Sequence, residues 1–364
     1  MSGVGPSQET AAARSAPSIV HVAESFASGT AAAIADFVRN YPAADHHLVY
    51  AFRDAAKIDP RELSNFASAT ALPAGTLSRV RFLRRHLRGY DGRLIVHAHS
   101  SLAGAYVRTA VRKSRRRPLF YTPHCYAFER RDVSSPVRGA FRLIEWLLSF
   151  NTTAIGACSP REARLSRWVP SSARVVTVPN VQPTNLPSRD ETFPSRPLRI
   201  VGNGRLGPQK DPEFFAAAFR AAAAACPGIT AVWVGGGDAH SVEVLEQSGV
   251  EVTGWLPRPA ALDVMSSCDL YLHTALWEGF PVSIMEAVGL GLPVVCRKRP
   301  YLTGVDLPVV IDKAEEFAGA LKELEQGDGL IALRARTAAA LEGNTDAHQR
   351  KALEELYGPT ASRW

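Results

Sequence analysis

The sequence predicts an α/β protein made of two doubly wound domains that face one another across a cleft. Three observations carry that expectation. The chain has 364 residues and is 46% hydrophobic, too long for one ordinary core and well matched to two domains of about 150 to 200 residues. Short β-branched runs alternate with Ala-rich amphipathic stretches from end to end, the pattern of βαβ units that build parallel sheets covered by helices. One aperiodic run, QPTNLPSRDETFPSR at 182–196, divides the series in two.

In chain order, residues 1–16 are polar and rich in Ala, Ser and Pro, and are expected to form a disordered tail. The first domain is expected over 17–181. Its strands are SIVHVA from Ser18, HLVYAF from His47, LIVHAH from Leu94, PLFYT from Pro118, TTAIGAC from Thr152 and RVVTVP from Arg174. Apolar periodicity places helices at Thr30 to Arg39, Ser101 to Arg112 and Val137 to Leu148. A further helix starts with Ser159 as N-cap, Pro160 in the first turn and Glu162 closing a capping box. After the linker at 182–196, the second domain is expected over 197–344. Its strands are LRIVGN, ITAVWVG, EVTGW, DLYLHT, LPVVC and LPVVID, with helices near 212–226, 282–290 and 314–325. Residues 345–364 form a last helix, expected to pack back on the first domain.

Five scattered cysteines without CxxC spacing argue for reduced thiols and against disulfides or a zinc site. There is no run of 18 apolar residues and no apolar signal core, so a cytoplasmic protein is expected. The net charge of +7 hides an asymmetry: residues 1–190 carry 26 Lys+Arg against 13 Asp+Glu, and the remainder 16 against 22. Only the first half is basic, which points to an anionic partner there.

The chemistry concentrates in LWEGFPVSIMEAVGLGLPVV, Leu276 to Val295. An apolar strand ends in the loop Ala275 to Phe280, and Pro281 opens a helix. The unsatisfied N–H groups of that helix start, with close approach allowed at Gly279, suit an anion such as a diphosphate. Glu278 stands at the loop mouth, and Glu286 lies one turn beyond Val282 on a shared helix face. Gly204-Arg205-Leu206-Gly207-Pro208-Gln209-Lys210, after the strand LRIVGN, presents Arg205 and Lys210 to neutralise phosphates. Gly235-Gly236-Gly237-Asp238 fits a plain tight turn.

Leu276 to Val295 resembles the E-x7-E signature of retaining glycosyltransferases of the GT-B fold, family 4, a fold of two Rossmann-like domains. Gly204 to Lys210 is similar to the G-R-x4-K loop of that family, and TGWLP at Thr253 to Pro257 to its preceding strand and turn. HVAESFASGTAAAI looks like the opening strand and glycine loop, and LIVHAHSSLAGAYVRTA with LFYTPHCYAF like the H-x-H-S and T-x-H segments. The resemblance spans nearly all of residues 18–340 and implies a hexosyltransferase. Glu286 would hold the ribose, Glu278 the donor sugar, and Arg205 and Lys210 the diphosphate, with Gly204, Gly279, Phe280 and Pro281 shaping the donor site. Gly29 would approach the phosphate or acceptor, and His124 would stand beside the donor sugar as a catalytic residue with Glu278. His97 and His99 share one strand face, on the acceptor side or in plain packing. The resemblance calls for no metal and no cofactor, the nucleotide-sugar being a substrate, and the sequence has no Asp-x-Asp pair. Two departures from the family pattern are Asn180-Val181 in place of Asn-Gly and CRKRPYLTGV in place of Gly-Gly-x-x-Glu.

The expected reaction moves a sugar, with retention, from a nucleotide donor, UDP by preference, to a saccharide or lipid-linked acceptor in making surface polysaccharide or glycolipid. Another GT-B enzyme, such as a nucleotide-sugar epimerase, is the alternative, with a non-catalytic basic membrane- or nucleic-acid-binding homologue behind it. For the basic half, Leu77 to Arg93 is expected to form a basic amphipathic helix and Val111 to Pro118 a cationic patch, suited to the inner face of an anionic membrane. Val137 to Phe150 joins that inventory, although core packing is the better expectation for it. No nucleic-acid module or aromatic stacking strip is found, so nucleic acid is not an expected partner.

Overall fold

The computed structural model describes residues 17–51, 63–90, 93–184, 186 and 197–361. The tail expected at 1–16 and most of the linker expected at 182–196 lie outside the described residues. The first domain is a parallel sheet in the order β3-β2-β1-β4-β5-β6-β7. Its strands are β1 (Ser18–Ala23), β2 (Asp45–Tyr50), β3 (Ser68–Ala71), β4 (Leu94–His99), β5 (Leu119–Thr122), β6 (Ala154–Ala157) and β7 (Arg174–Thr177). Helices α1 (Ser28–Asn40), α2 (Thr76–His86), α3 (Ser101–Ala110), α4 (Ser135–Ser149) and α5 (Pro160–Leu165) cross between them.

The second domain is also parallel, in the order β10-β9-β8-β11-β12-β13. Its strands are β8 (Arg199–Asn203), β9 (Thr230–Val234), β10 (Val250–Val252), β11 (Leu270–His273), β12 (Val294–Arg297) and β13 (Val310–Ile311). Helices α6 (Pro212–Ala225), α7 (Ala239–Glu246), α8 (Arg258–Ser266), α9 (Val282–Gly289), α10 (Glu316–Leu324) and α11 (Gly329–Ala340) cover it. Strand order reverses between β1 and β4 and again between β8 and β11, and open α/β sheets form their crevices at such points.

The last helix, α12 (Asp346–Ala361), lies on the first domain, where Leu353, Leu356 and Tyr357 pack with Ile19, Phe37, Ile95 and Phe120. Asp346 accepts from Arg39 (2.7 Å) and Asn40 (2.8 Å), fixing the start of α12 to the end of α1. The chain therefore crosses between domains twice. The crossings touch: Gln182 N–H donates to Asn344 O (3.1 Å), and Asn344 Nδ2 donates to Asn180 O (2.7 Å).

Three local expectations are corrected. Pro281 is the N-cap of α9, at φ −72° and ψ 118°, and Val282 is its first residue. The basic helix expected over Leu77 to Arg93 ends at His86, with Leu87 as C-cap. The better expectation for Val137 to Phe150, core packing, holds only in part: Phe141 and Trp146 pack against the first-domain core, while α4 exposes Leu143 (56%) and Leu147 (54%), its C-cap Phe150 is 43% exposed, and Glu145 is buried. The cause is a polar pocket beneath α4, where Glu145 accepts from Arg108 Nη2 (2.9 Å) and Tyr121 O–H (2.9 Å).

Candidate active site in the cleft

The second domain supplies one wall through two loops fastened together. After β8, Gly204 adopts φ 129°, and a Cβ there would lie 2.5 Å from Lys210 Cε, so the Lys210 stem lies across a position that only glycine fits. Thr274 Oγ1 donates to Lys210 O (2.7 Å), Leu276 N–H to Gln209 O (2.8 Å) and Gln209 Nε2 to Trp277 O (3.0 Å). These bonds tie the loop after β8 to the loop after β11, and Lys210 Nζ meets Glu278 Oε1 at 2.8 Å. Arg205 is exposed on the first of these loops. One turn into α9, buried Glu286 accepts from Arg258 Nε (2.9 Å) and Asn203 Nδ2 (3.3 Å).

The first domain supplies the other wall. After β5, His124 and Cys125 take positive φ values of 51° and 115°. Glu162 stabilises that bend, because its carboxylate accepts from the N–H groups of Cys125 (2.9 Å) and Cys158 (2.8 Å). The expected capping box is thus half formed: Ser159 Oγ accepts from Glu162 N–H (3.1 Å), while Glu162 reaches past Ser159 to Cys158. Burial pushes the Glu162 carboxyl up, and those two N–H donors oppose the shift.

The walls meet at Gly279. A Cβ there would lie 2.8 Å from Cys125 N, His124 C and Cys158 Sγ. Ser159 Oγ donates to Gly279 O (3.0 Å) and Asn180 Nδ2 to Phe280 O (2.8 Å), so the first domain grips the Gly-Phe-Pro turn through its backbone. Gly29, in the first turn of α1, faces Val282 at the start of α9, with 3.5 Å between its ideal Cβ position and Val282 Cβ. Two helix N-termini, neither capped by a side chain, therefore converge on each other. Such an arrangement can hold a doubly charged anion, with Glu278 and Glu286 accepting from hydroxyls beside it.

Among the sequence-predicted residues, Gly29, Gly204, Lys210, Glu278, Gly279, Phe280, Pro281 and Glu286 line these walls and His124 borders the junction. His97 does not reach the cleft: it is fully buried between Tyr357 O–H (2.5 Å) and Thr122 Oγ1 (2.8 Å), so of its two expected places packing is the one observed. His99 is also buried, bonded through Nδ1 to His124 Nε2 (3.0 Å). Sequence reasoning missed Asn203 and Arg258, and the cleft roles of Glu162 and Asn180: Glu162 appeared only as the close of a capping box and Asn180 only as a departure from a family pattern.

Burial holds His21, His97 and His99 well below the usual histidine range and brings His124 down to about 4. These rings are neutral when folded and take up protons readily when unfolded, so stability is present above about pH 6.5 and falls as pH drops below it. A thermal melt series is expected to show a flat Tm from pH 8 to 7 and a decline from about pH 6.5 toward 4, at up to about 1.4 kcal/mol per pH unit for each such ring.

Two parallel, doubly wound sheets that each contribute a wall to one polar cleft define the GT-B fold. The chain belongs to the group 1 glycosyltransferases: residues 28–181 match the glycosyl transferase 4-like domain, and residues 197–326 match the glycosyl transferases group 1 family. It is 25% identical over 258 residues to the Escherichia coli UDP-Gal:alpha-D-GlcNAc-diphosphoundecaprenol alpha-1,3-galactosyltransferase, a match that covers 65% of this chain and 64% of that enzyme. Anabaena HepE in complex with UDP-glucose has the same fold, with TM-score 0.73 at 18% identity over 94% of this chain and 99% of that one. The apo lipopolysaccharide outer core galactosyltransferase WaaB aligns with TM-score 0.61 at 15% identity, over 94% and 99% of the two chains.

Proposed function

We propose that this glycosyltransferase moves a hexose from a UDP-sugar to a saccharide or lipid-linked acceptor, with retention and without a metal, in building a surface polysaccharide or glycolipid. The observation that carries the reading is the pair of carboxylate–cation contacts, Glu278 with Lys210 and Glu286 with Arg258, set beside the start of α9. Support for UDP comes from the E. coli relative, named for UDP-Gal and a diphosphoundecaprenol acceptor, and from the UDP-glucose bound to HepE. In this reading Lys210, Arg205 and the helix N–H groups neutralise the diphosphate, Glu286 accepts from the ribose diol, and Glu278 and His124 address the sugar. The acceptor oxygen bonds to C1 as the bond from C1 to the phosphate oxygen breaks, and the acceptor's proton passes to that departing phosphate. The protein contributes orientation and charge stabilisation.

The test is a thermal-shift and calorimetric screen against UDP, GDP, ADP and their sugar conjugates. UDP and one UDP-sugar are expected to bind. Glu286→Ala should weaken UDP about tenfold, whereas Glu278→Ala should leave UDP affinity near wild type and lower turnover. Silence toward every uridine compound by a folded sample would refute the donor assignment.

The acceptor's lipid link is supported by α4, an amphipathic helix turned outward. Leu143, Leu147 and Phe150 face solvent, Arg138 and Arg142 lie on the same helix, and the basic helix α2 belongs to the same domain. Apolar side chains among arginines suit an anionic bilayer surface at the inner face of the cell membrane, and no helix among the described residues is long and apolar enough to cross a membrane. Vesicles with phosphatidylglycerol are expected to sediment the protein at low salt, and phosphatidylcholine vesicles to leave it in solution. Leu143→Ser with Leu147→Ser should abolish the difference; equal sedimentation with both vesicles would remove the membrane from the reading.

A further inference from the structure

Four imidazoles run in single file through the first domain. His46 Nε2 lies 2.8 Å from Tyr41 O, His21 Nε2 lies 2.9 Å from His46 Nδ1, His99 Nε2 lies 2.9 Å from His21 Nδ1, and His124 Nε2 lies 3.0 Å from His99 Nδ1. The sheet explains the file. His21 and His97 are register partners on β1 and β4, and His99 lies two residues beyond His97 on the same face. His46, on β2, reaches across to His21, and the bend after β5 brings in His124.

We propose that His46, His21 and His99 form a positioning relay that fixes the tautomer of His124, so that His124 presents Nδ1 to the donor sugar as a hydrogen-bond acceptor. The direction follows from one end. A backbone carbonyl can only accept, so His46 carries its proton on Nε2 and leaves Nδ1 as an acceptor. His21 must then donate from Nε2, His99 from Nε2, and His124 from Nε2, which leaves Nδ1 of His124 as the terminal lone pair. The titratable groups acting on His21 are His46, His97 and His47, and those on His99 are His97, His21 and His124; Asp45 acts on His46, where burial still holds the ring below the usual histidine range, so each ring keeps a single proton. A sugar hydroxyl beside His124 is therefore required to donate, and a donor with that hydroxyl methylated or fluorinated is refused. The proposal rests on the reading that His124 borders the donor sugar.

One competing arrangement is specific. A ring nitrogen from each of His21, His97 and His99 lies within 4.8 Å of the others, a grouping that could hold a metal ion. A divalent ion there would take the lone pairs of His21 Nδ1 and His99 Nε2, place the His99 proton on Nδ1, and reverse the link to His124.

The test starts with NMR of the full chain labelled with 15N-histidine. Couplings across N–H···N bonds are expected for the pairs 46–21, 21–99 and 99–124, with every proton on Nε2 from pH 6 to 8. A proton on Nδ1 of His99 or His124, or one divalent metal per chain by elemental analysis, would overturn the relay. The second arm replaces its anchor. His46→Leu removes the acceptor that faces His21, whereas His46→Gln keeps an acceptor for His21 and a donor for Tyr41 O. Titration with UDP-glucose and UDP-galactose should show affinity for the bound sugar conjugate falling about tenfold in His46→Leu and staying within about twofold of wild type in His46→Gln, with UDP alone unaffected by either. Equal losses in both variants would overturn the proposal. Couplings present with neither conjugate bound would uphold the relay and refute the donor assignment, while couplings absent with a conjugate bound would do the reverse.

Discussion

Gly279→Ala is expected to lower kcat/KM about 10- to 100-fold while Tm moves little. The added methyl would meet Cys125 N, His124 C and Cys158 Sγ at 2.8 Å each. Two of those atoms are backbone, and Cys125 N–H is fixed by its bond to the Glu162 carboxylate, so they cannot step aside as a flexible side chain would. Overfilling a packed contact costs about 1–3 kcal/mol. Here the strain falls on the junction between domains, and separating the walls relieves it without disturbing either core. The population of closed molecules then drops by roughly the corresponding factor. Steady-state kinetics beside a melting curve decides the matter, and full activity would mean that the turnover state does not bring Gly279 against His124.

Lys210→Ala should cost about 100- to 1000-fold in kcat, the scale of removing one preorganised group that stabilises developing charge. Lys210 is aimed: its stem crosses Gly204, its carbonyl is held by Thr274, and its ammonium already contacts Glu278. A departing diphosphate would compete with that carboxylate for the same cation. Lys210→Arg should recover only part of the rate, because a planar guanidinium does not fit the groove over Gly204 as a point charge does. A loss below tenfold for Lys210→Ala would place the phosphates elsewhere.

The strands of both sheets were legible because buried parallel strands must be apolar and β-branched, and runs such as LIVHAH and LPVVC have few other uses. β3 was not, since SATA has no apolar alternation and owes its place to pairing with β2. Much of the second-domain wall was legible, since Gly204, Lys210, Glu278 and Glu286 stand on two short segments that resemble a family signature, whereas Asn203 and Arg258 of the same wall were not. On the first-domain wall only Gly29 and His124 were legible, through the same resemblance. Asn180, Ser159 and Glu162 act on backbone atoms of distant residues, which no local pattern encodes. The exposed face of α4 misled for a related reason: its apolar stripe suits a core, and the residue that turns it outward is Glu145, whose partners Arg108 and Tyr121 lie far along the chain.

The hydrogen-bonded pair of crossings, Gln182 to Asn344 and Asn344 to Asn180, has a mechanical consequence. A single tether would leave each lobe free to swivel and slide. Two tethers pinned side by side behave like a door hung on its jamb, with one angular coordinate left soft and twist and translation stiff. Swinging along that coordinate would carry Gly279 toward or away from the bend at His124, so one angle would set the separation of the two walls of the candidate site.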